Sequence, residues 1–305
     1  MPEIDESIII GNLQPDPVDE RDWVSGAVTG AIELPAKLDN RSLCTPVRNQ
    51  GSRGTCVAHA TCGVQEIFDK EDFSRDIDLS EEFVFTNCKK IDIEDYNYSG
   101  WGSFMRSGAK SITNFGACLE STMPYNPNAP EDTWKTNGGK MTPEIDAEAR
   151  QFKSSAYISV ATRLNELKKA VFQHKAVMGG FKLYESYRNA KTNGGFLPVP
   201  NTETEGVIGG HAMAIVGYDD EKQHFIVRNS WSASWGDNGY IYIPYAYCTP
   251  DLMYSFWAFV DLDSAVFDAE AAIADLVSRG VTGKAALIRA KAMQDAFNAK
   301  KTGQF

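Results

Sequence analysis

One of the six cysteines and one of the four histidines stand in settings built for chemistry. Cys56 closes the glycine-rich stretch Gln50-Gly51-Ser52-Arg53-Gly54-Thr55. It also opens a segment, 56–69, in which Val57, Ala60, Val64, Ile67 and Phe68 fall close to helical spacing. The pattern predicts a helix with Thr55 as its N-cap and Cys56 in its first turn. The partial positive charge of a helix N-terminus favours thiolate over thiol, which activates a cysteine without a metal. Gly51 and Gly54 let the preceding backbone turn tightly and approach a substrate closely, and Gln50 is placed to aim an amide N–H at the space in front of the sulfur.

A thiolate nucleophile needs a base that takes and returns a proton. His211 lies in Gly209-Gly210-His211-Ala212-Met213-Ala214-Ile215-Val216, at the mouth of an apolar strand, with its imidazole free to face a cleft while the following residues anchor the core. A second strand, 225–228, runs into Asn229-Ser230-Trp231. The Asn229 amide oxygen is suited to hold the ring and its tautomer, and Trp231 to shield that bond from water. His59 falls within the nucleophile helix and reads as packed against the opposite lobe, while His174 and His224 read as surface residues.

Three blocks in this order resemble the papain-like cysteine peptidases, and within them a bacterial branch without a long pro-domain. The blocks are Gln50-Gly51-Ser52 with Gly54-Thr55-Cys56, then Gly210-His211-Ala212, then Asn229-Ser230-Trp231 followed by Trp235-Gly236-Asp237-Asn238-Gly239-Tyr240. The resemblance covers roughly 40–260. It implies an α+β, papain-like two-lobed fold, a helical lobe plus an antiparallel β-sheet or barrel lobe. It also implies a thiol peptidase with Cys56 as nucleophile, His211 as base, Asn229 as orienting group and Gln50 as oxyanion donor. Gly102, Ser103, Gly210 and Trp231 are the implied substrate-side residues, and no cofactor or metal is expected. Two departures stand out: Gly210 precedes His211 where many relatives carry an acidic or amide side chain, and Arg53 occupies the place of a cysteine that secreted relatives bond across the cleft floor. A Cys-His acyltransferase and a catalytically inactive homologue that binds peptides or a partner are the alternative functions. The same acyl-enzyme serves the first, and the intact catalytic set speaks against the second.

The remaining chain must position these groups. At 305 residues and 43% hydrophobic content it can bury a sizeable core in one two-lobed domain, 38–263, plus appendages. Ser80 before Glu81 and Glu82 reads as the cap of a second helix in the helical lobe, and 96–103 as a glycine and aromatic cluster forming a wall for extended peptide. The turn-rich linker 126–143 carries no evident chemistry. In the second lobe, strands are expected at 157–160, 176–183, 212–218, 225–228, 239–243 and 257–260, with an amphipathic helix over 162–175. A long loop, 184–209, with little helical or strand pattern delivers His211.

The net charge of −11 argues against nucleic acid or an anionic membrane as the main partner, and the resemblance implies a peptide or protein substrate. The start of the sequence lacks the basic and apolar regions of a signal peptide, so a cytoplasmic location, or export without a classical signal, is expected. With Cys56 set aside, the five remaining cysteines, Cys44, Cys62, Cys88, Cys118 and Cys248, are an odd number, which favours buried free thiols. The arm 1–37 begins with seven acidic side chains and one basic in its first 22 residues. It reads as a regulatory segment anchored near Trp23, with 11–17 as its movable part. Residues 264–305 form two alanine-rich helical patterns around Gly280-Val281-Thr282-Gly283, a C-terminal helical hairpin with an acidic first and a basic second helix, packed on the domain or offered to a partner.

Overall fold

The computed structural model describes residues 13–27, 32–262 and 265–303. Eight α-helices and seven strands follow one another among these residues: β1 (Lys37–Asp39), α1 (Cys56–Phe73), α2 (Glu81–Tyr96), α3 (Met105–Asn114), α4 (Trp134–Asn137), α5 (Pro143–Ala149), β2 (Ala156–Val160), α6 (Leu164–His174), β3 (Val177–Tyr184), β4 (Val207–Asp219), β5 (His224–Arg228), β6 (Tyr240–Pro244), β7 (Met253–Val260), α7 (Ala269–Ser278) and α8 (Gly283–Lys301). The strands form one antiparallel sheet in the order β2-β7-β3-β4-β5-β6, with β1 added on β4.

The β4 strand shows why the sheet divides the molecule. Its alternating side chains feed two cores. Met213 and Ile215 join the cluster that contains α6 and the C-terminal helices, whereas Ala212, Ala214 and Val216 join the cluster built on α1, α2 and α3. The small side chains at 212 and 214 let α1 lie close on the sheet. Every residue of α1 from Cys56 to Asp69 is buried, so this helix is enclosed by sheet on one side and helices on the other. Its polar members are accordingly partnered: Gln65 Nε2 donates to Asp69, Ser154 Oγ donates to Gln65, and Glu66 accepts the Leu79 N–H.

Several local expectations change. Ser80 caps α2 through the Phe83 N–H as expected, but Thr55 makes no capping bond to α1; its hydroxyl instead pairs with Tyr125 Oη at 2.6 Å. The segment read as a patternless loop contains a 3-10 helix, Glu185–Lys191, and β4 begins at Val207, so the irregular part is 192–206. His224 is buried in β5 against Phe196 and Tyr242, His174 is half-buried, and His59 packs against Tyr125 and Glu81 of its own lobe rather than across to the other.

The hairpin α7 and α8 packs on the domain through Ala272, Leu276, Ala286, Ala290, Met293 and Phe297, all in the sheet-side core. Trp23 lies against Phe297 there. The charges do not pair helix to helix as the sequence suggests: Asp275 takes Arg279 of its own helix end, Arg163, and the Gly26 N–H. Ser264 and Gly11 fall outside the described residues.

Candidate active site

The nucleophile loop is held from several sides before any substrate arrives. Gly51 adopts φ +62, and a Cβ there would lie 2.5 Å from the Pro127 carbonyl oxygen, so only glycine fits. Tyr125 Oη donates to the Gln50 carbonyl at 2.7 Å while its oxygen meets Thr55. Arg53, fully buried, makes a two-pronged ion pair with Glu82 and reaches the Asn126 carbonyl, with its guanidinium over the Tyr125 ring. Asn137 Nδ2 donates to the same Glu82 at 2.6 Å.

Gln50 is not free to swing. Its Oε1 accepts from Ser230 Oγ at 2.6 Å and its Nε2 donates to the Arg53 carbonyl at 2.9 Å, which leaves the second Nε2 hydrogen to point elsewhere. The Ser230 contact ties the loop to the strand end that carries Asn229. Main-chain bonds reinforce it, from Gln50 N to Ser230 O at 2.9 Å and from Ser232 N to Arg48 O at 2.9 Å.

His211 sits five residues into β4, paired in register with Phe181 of β3. Its Nε2 meets Asn229 Oδ1 at 2.8 Å, and the same oxygen accepts the Ser230 N–H. Trp231 stacks on the imidazole with ring centroids 4.5 Å apart and planes 18° apart, and is itself packed edge-on by Tyr187 and Trp235. Trp231 therefore fixes the ring and dries the His–Asn bond. The other ring nitrogen, Nδ1, is buried with no hydrogen-bond partner. Cys56 packs in the same buried cluster as Ala212, the residue after His211, and the Ala212 and Val57 N–H groups favour its thiolate.

Burial governs the charge state of the pair. Cys56 is 2% exposed and His211 is fully buried. Desolvation pushes the Cys56 thiol up to about 11, against the lowering effect of the Ala212 and Val57 N–H groups, and pushes the His211 imidazole down to about 4, against the raising effect of the Asn229 bond. Burial thus disfavours the charged form of each group and opposes the pull of the helix N-terminus on Cys56.

The arm packs beside Gly210, the residue before His211. Leu13 is 5% exposed and belongs to the same apolar cluster as Cys56. Its carbonyl accepts from Tyr254 Oη at 2.8 Å. A Cβ on Gly210 would lie 2.3 Å from that carbonyl oxygen and 2.3 Å from Tyr254 Oη, so the glycine before His211 makes the space the arm occupies. Residues 13–17, read from sequence as movable, are thus anchored at Leu13 and again at Asp16, whose carboxylate accepts from Trp257 Nε1 and the Arg106 N–H.

Sequence reasoning missed one further group. Glu131, in the linker without evident chemistry, accepts the Gly54 N–H at 2.9 Å and the Gly102 N–H at 3.4 Å, joining the nucleophile loop to the glycine wall. The Gly102 carbonyl in turn accepts from Lys89 Nζ at 2.8 Å. Both main-chain groups of Gly102 are therefore engaged, and Ser103, buried beside it, starts the turn into α3. A glutamate after Pro130 and beside Asp132 gives no sequence signal for such a role.

Comparison with known proteins identifies the family. The model of the papain family cysteine proteases matches residues 34–249. The chain is 28% identical over 233 residues to an uncharacterized peptidase C1-like protein of Acanthamoeba polyphaga mimivirus, covering 72% of this chain and 71% of the relative. It is 30% identical over 220 residues to a KDEL-tailed cysteine endopeptidase of Arabidopsis thaliana, covering 69% of this chain but 54% of the plant protein. The structure of xylellain, a cysteine protease from Xylella fastidiosa, superposes with a TM-score of 0.71 at 29% identity, over 82% of this chain and 95% of that one. These relatives come from a virus, a plant and a bacterium, so the likeness does not single out a bacterial branch. All six cysteines are unpaired, and no described helix is long and apolar enough to cross a membrane. With the matched region running from the first strand through the wall, the histidine strand and the tryptophan turn, the chain belongs to the papain family of cysteine proteases and is a cysteine peptidase.

Proposed function

We propose that the chain hydrolyses peptide bonds through Cys56, His211, Asn229 and Gln50. The Cys56 thiol gives its proton to His211, and the thiolate attacks the scissile carbonyl carbon. The oxyanion is met by the free Gln50 amide hydrogen and the Cys56 N–H, and His211 returns the proton to the leaving amine. Water, deprotonated by His211, then attacks the thioester, releasing the acid and restoring the thiol. Asn229 keeps the imidazole in one tautomer throughout. The observation that carries this reading is the His211 ring: one nitrogen is held by Asn229, one face is stacked on Trp231, and the other nitrogen is unpartnered on a strand whose next residue, Ala212, packs in the same buried cluster as Cys56.

The substrate is a peptide or protein. Ser103 on the wall and Gly210 beside the histidine are the proposed contacts, and Gly102 supports the wall from behind. The arm acts as a cover: while Leu13 lies against the site the pair stays neutral, and access of water and substrate on lifting the arm lets the thiolate and imidazolium form.

The test is removal of the sulfur. Cys56→Ala abolishes turnover of a peptide substrate and covalent labelling by an epoxide peptide while circular dichroism is unchanged, and His211→Ala nearly does so. Normal turnover by Cys56→Ala would refute the mechanism.

A further inference from the structure

The proposed mechanism uses one of the four histidines, His211, and gives no part to His59. His59 stands three residues after Cys56 in α1 and is 6% exposed, among the buried apolar residues Val57, Ala58 and Ala60. Its partners are few and fixed. Nδ1 meets the Thr55 carbonyl oxygen at 3.0 Å; a carbonyl only accepts, so Nδ1 carries a proton and donates it. The same oxygen also accepts the His59 backbone N–H at 3.1 Å. Nε2 is buried with no hydrogen-bond partner among the described residues and lies 4.0 Å from Glu81 Oε1. Tyr125 stands edge-on to the ring, with centroids 4.8 Å apart and planes 88° apart.

Stability does not account for this ring. The His59 backbone N–H already satisfies the Thr55 carbonyl, and a buried, unpartnered Nε2 is a penalty that an apolar ring of the same shape would avoid. The ring is also a poor proton carrier. Burial pushes the imidazole down to about 4 against the raising effect of the Thr55 bond, and the charges of Arg228, Arg53 and Arg48 push it the same way as burial. What the ring offers is a fixed N–H aimed at one carbonyl.

That carbonyl shares its peptide unit with the Cys56 N–H. The unit is planar and conjugated, so a hydrogen bond to its oxygen draws electron density from its nitrogen and makes the N–H a stronger donor. Cys56 is the first residue of α1, and its N–H is one of those a helix leaves without an internal acceptor. The plane of the unit also sets where that N–H points, and the His59 ring holds the plane from the carbonyl side. Tyr125, which packs on the ring, donates to the Gln50 carbonyl at 2.7 Å and meets Thr55 Oγ1 at 2.6 Å. One aromatic pair thus braces both residues that supply the proposed oxyanion donors.

We propose that His59 is a positioning residue for the oxyanion site: its Nδ1–H orients and polarises the Thr55–Cys56 peptide, so that the Cys56 N–H donates more strongly to the developing oxyanion. The inference rests on the mechanism proposed above, in which the Cys56 N–H is one of the two donors. His59 itself neither gives nor takes a proton and does not touch the substrate.

The test uses the full chain and a chromogenic peptide amide. His59→Phe keeps a ring of similar shape and removes the donor. His59→Asn returns an amide N–H close to the place of Nδ1, whereas His59→Gln puts its amide nearer the place of Nε2. His59→Phe is expected to lower kcat about tenfold, less than the roughly hundredfold loss on deleting an oxyanion donor outright, with KM changed by less than about twofold. His59→Asn recovers most of that loss and His59→Gln does not. Alkylation of Cys56 by iodoacetamide forms no oxyanion, so its rate falls far less than kcat in each variant. Circular dichroism checks the fold, and the Asn and Gln variants carry the comparison if His59→Phe is poorly folded. An unchanged kcat in folded His59→Phe, equal losses in His59→Asn and His59→Gln, or alkylation that falls in step with kcat would overturn the role. Turnover by Cys56→Ala, or none by the unaltered chain, would instead remove the mechanism on which the role rests.

Discussion

Gln50→Ala measures how far the proposed oxyanion site depends on one side chain. Gln50 is fully buried, with its carbonyl fixed by Ser230 Oγ and one amide hydrogen by the Arg53 carbonyl, so the remaining hydrogen is held in a set direction at no further cost in ordering. Removing one of two donors to a developing oxyanion lowers kcat about a hundredfold, or about 2.7 kcal/mol of transition-state stabilisation. Ser230→Ala leaves the donor in place but frees the amide carbonyl, which costs about 1 kcal/mol and thus roughly fivefold in kcat. Gln50→Glu puts an acceptor opposite the Arg53 carbonyl and supplies no donor, so it loses at least as much as alanine. The assay is steady-state cleavage of a chromogenic peptide amide in the Leu13→Ala chain, with kcat and KM resolved separately. A loss carried by KM alone, or a Ser230→Ala effect larger than that of Gln50→Ala, refutes the oxyanion role.

Two further outcomes follow from buried charges. Arg53→Met leaves Glu82 buried with only Asn137 as donor and is expected to cost about 3 kcal/mol of stability, seen as a lower urea midpoint at unchanged slope. The Arg53→Met/Glu82→Gln double variant recovers part of it, and strictly additive losses would contradict the pairing. Arm docking is also pH-dependent. Burial raises the Asp16 carboxyl from its usual 3.8 to about 6, against the Arg106 N–H, the Arg106 charge and Trp257, while Asp22 nearby raises it further. The docked form therefore binds a proton more readily than the free arm, so docking strengthens as pH falls through about 6 and weakens above it. Between pH 5 and 7.5 the ratio of Cys56 alkylation rates, unaltered chain over Asp16→Asn, is expected to rise; a flat or falling ratio contradicts this.

The proposed catalytic set could be read from the sequence because each member sits in a local pattern. Cys56 follows a glycine turn and opens a helix, His211 starts an apolar run, and Asn229 closes a short strand before Trp231. The wall and the strands were readable for the same reason, through period-2 alternation and glycine punctuation. What escaped the reading depends on distant partners. Thr55 has the residue type of a cap, yet Tyr125, seventy residues on, takes its hydroxyl. Glu131 and Asp16 look like solvated acids in proline-rich stretches, and only the fold brings them to unpaired backbone N–H groups. His224 looks polar in isolation but alternates inward on β5, where two aromatic rings receive it.

The substitution of Arg53 for a cross-linked cysteine has a consequence for how the enzyme can be handled. A thiol catalyst is kept active by reductant, whereas a disulfide beside it is opened by the same reagent, so an enzyme that needs both works only within a window of redox potential. Here the loop before Cys56 is pinned by ion pairing with Glu82, by Tyr125 and by the Glu131 carboxylate, none of which exchanges electrons. Cys56 can therefore be kept fully reduced at any concentration of dithiothreitol without loosening the loop that presents it, and because the Arg53–Glu82 pair is buried, salt does little to loosen it either.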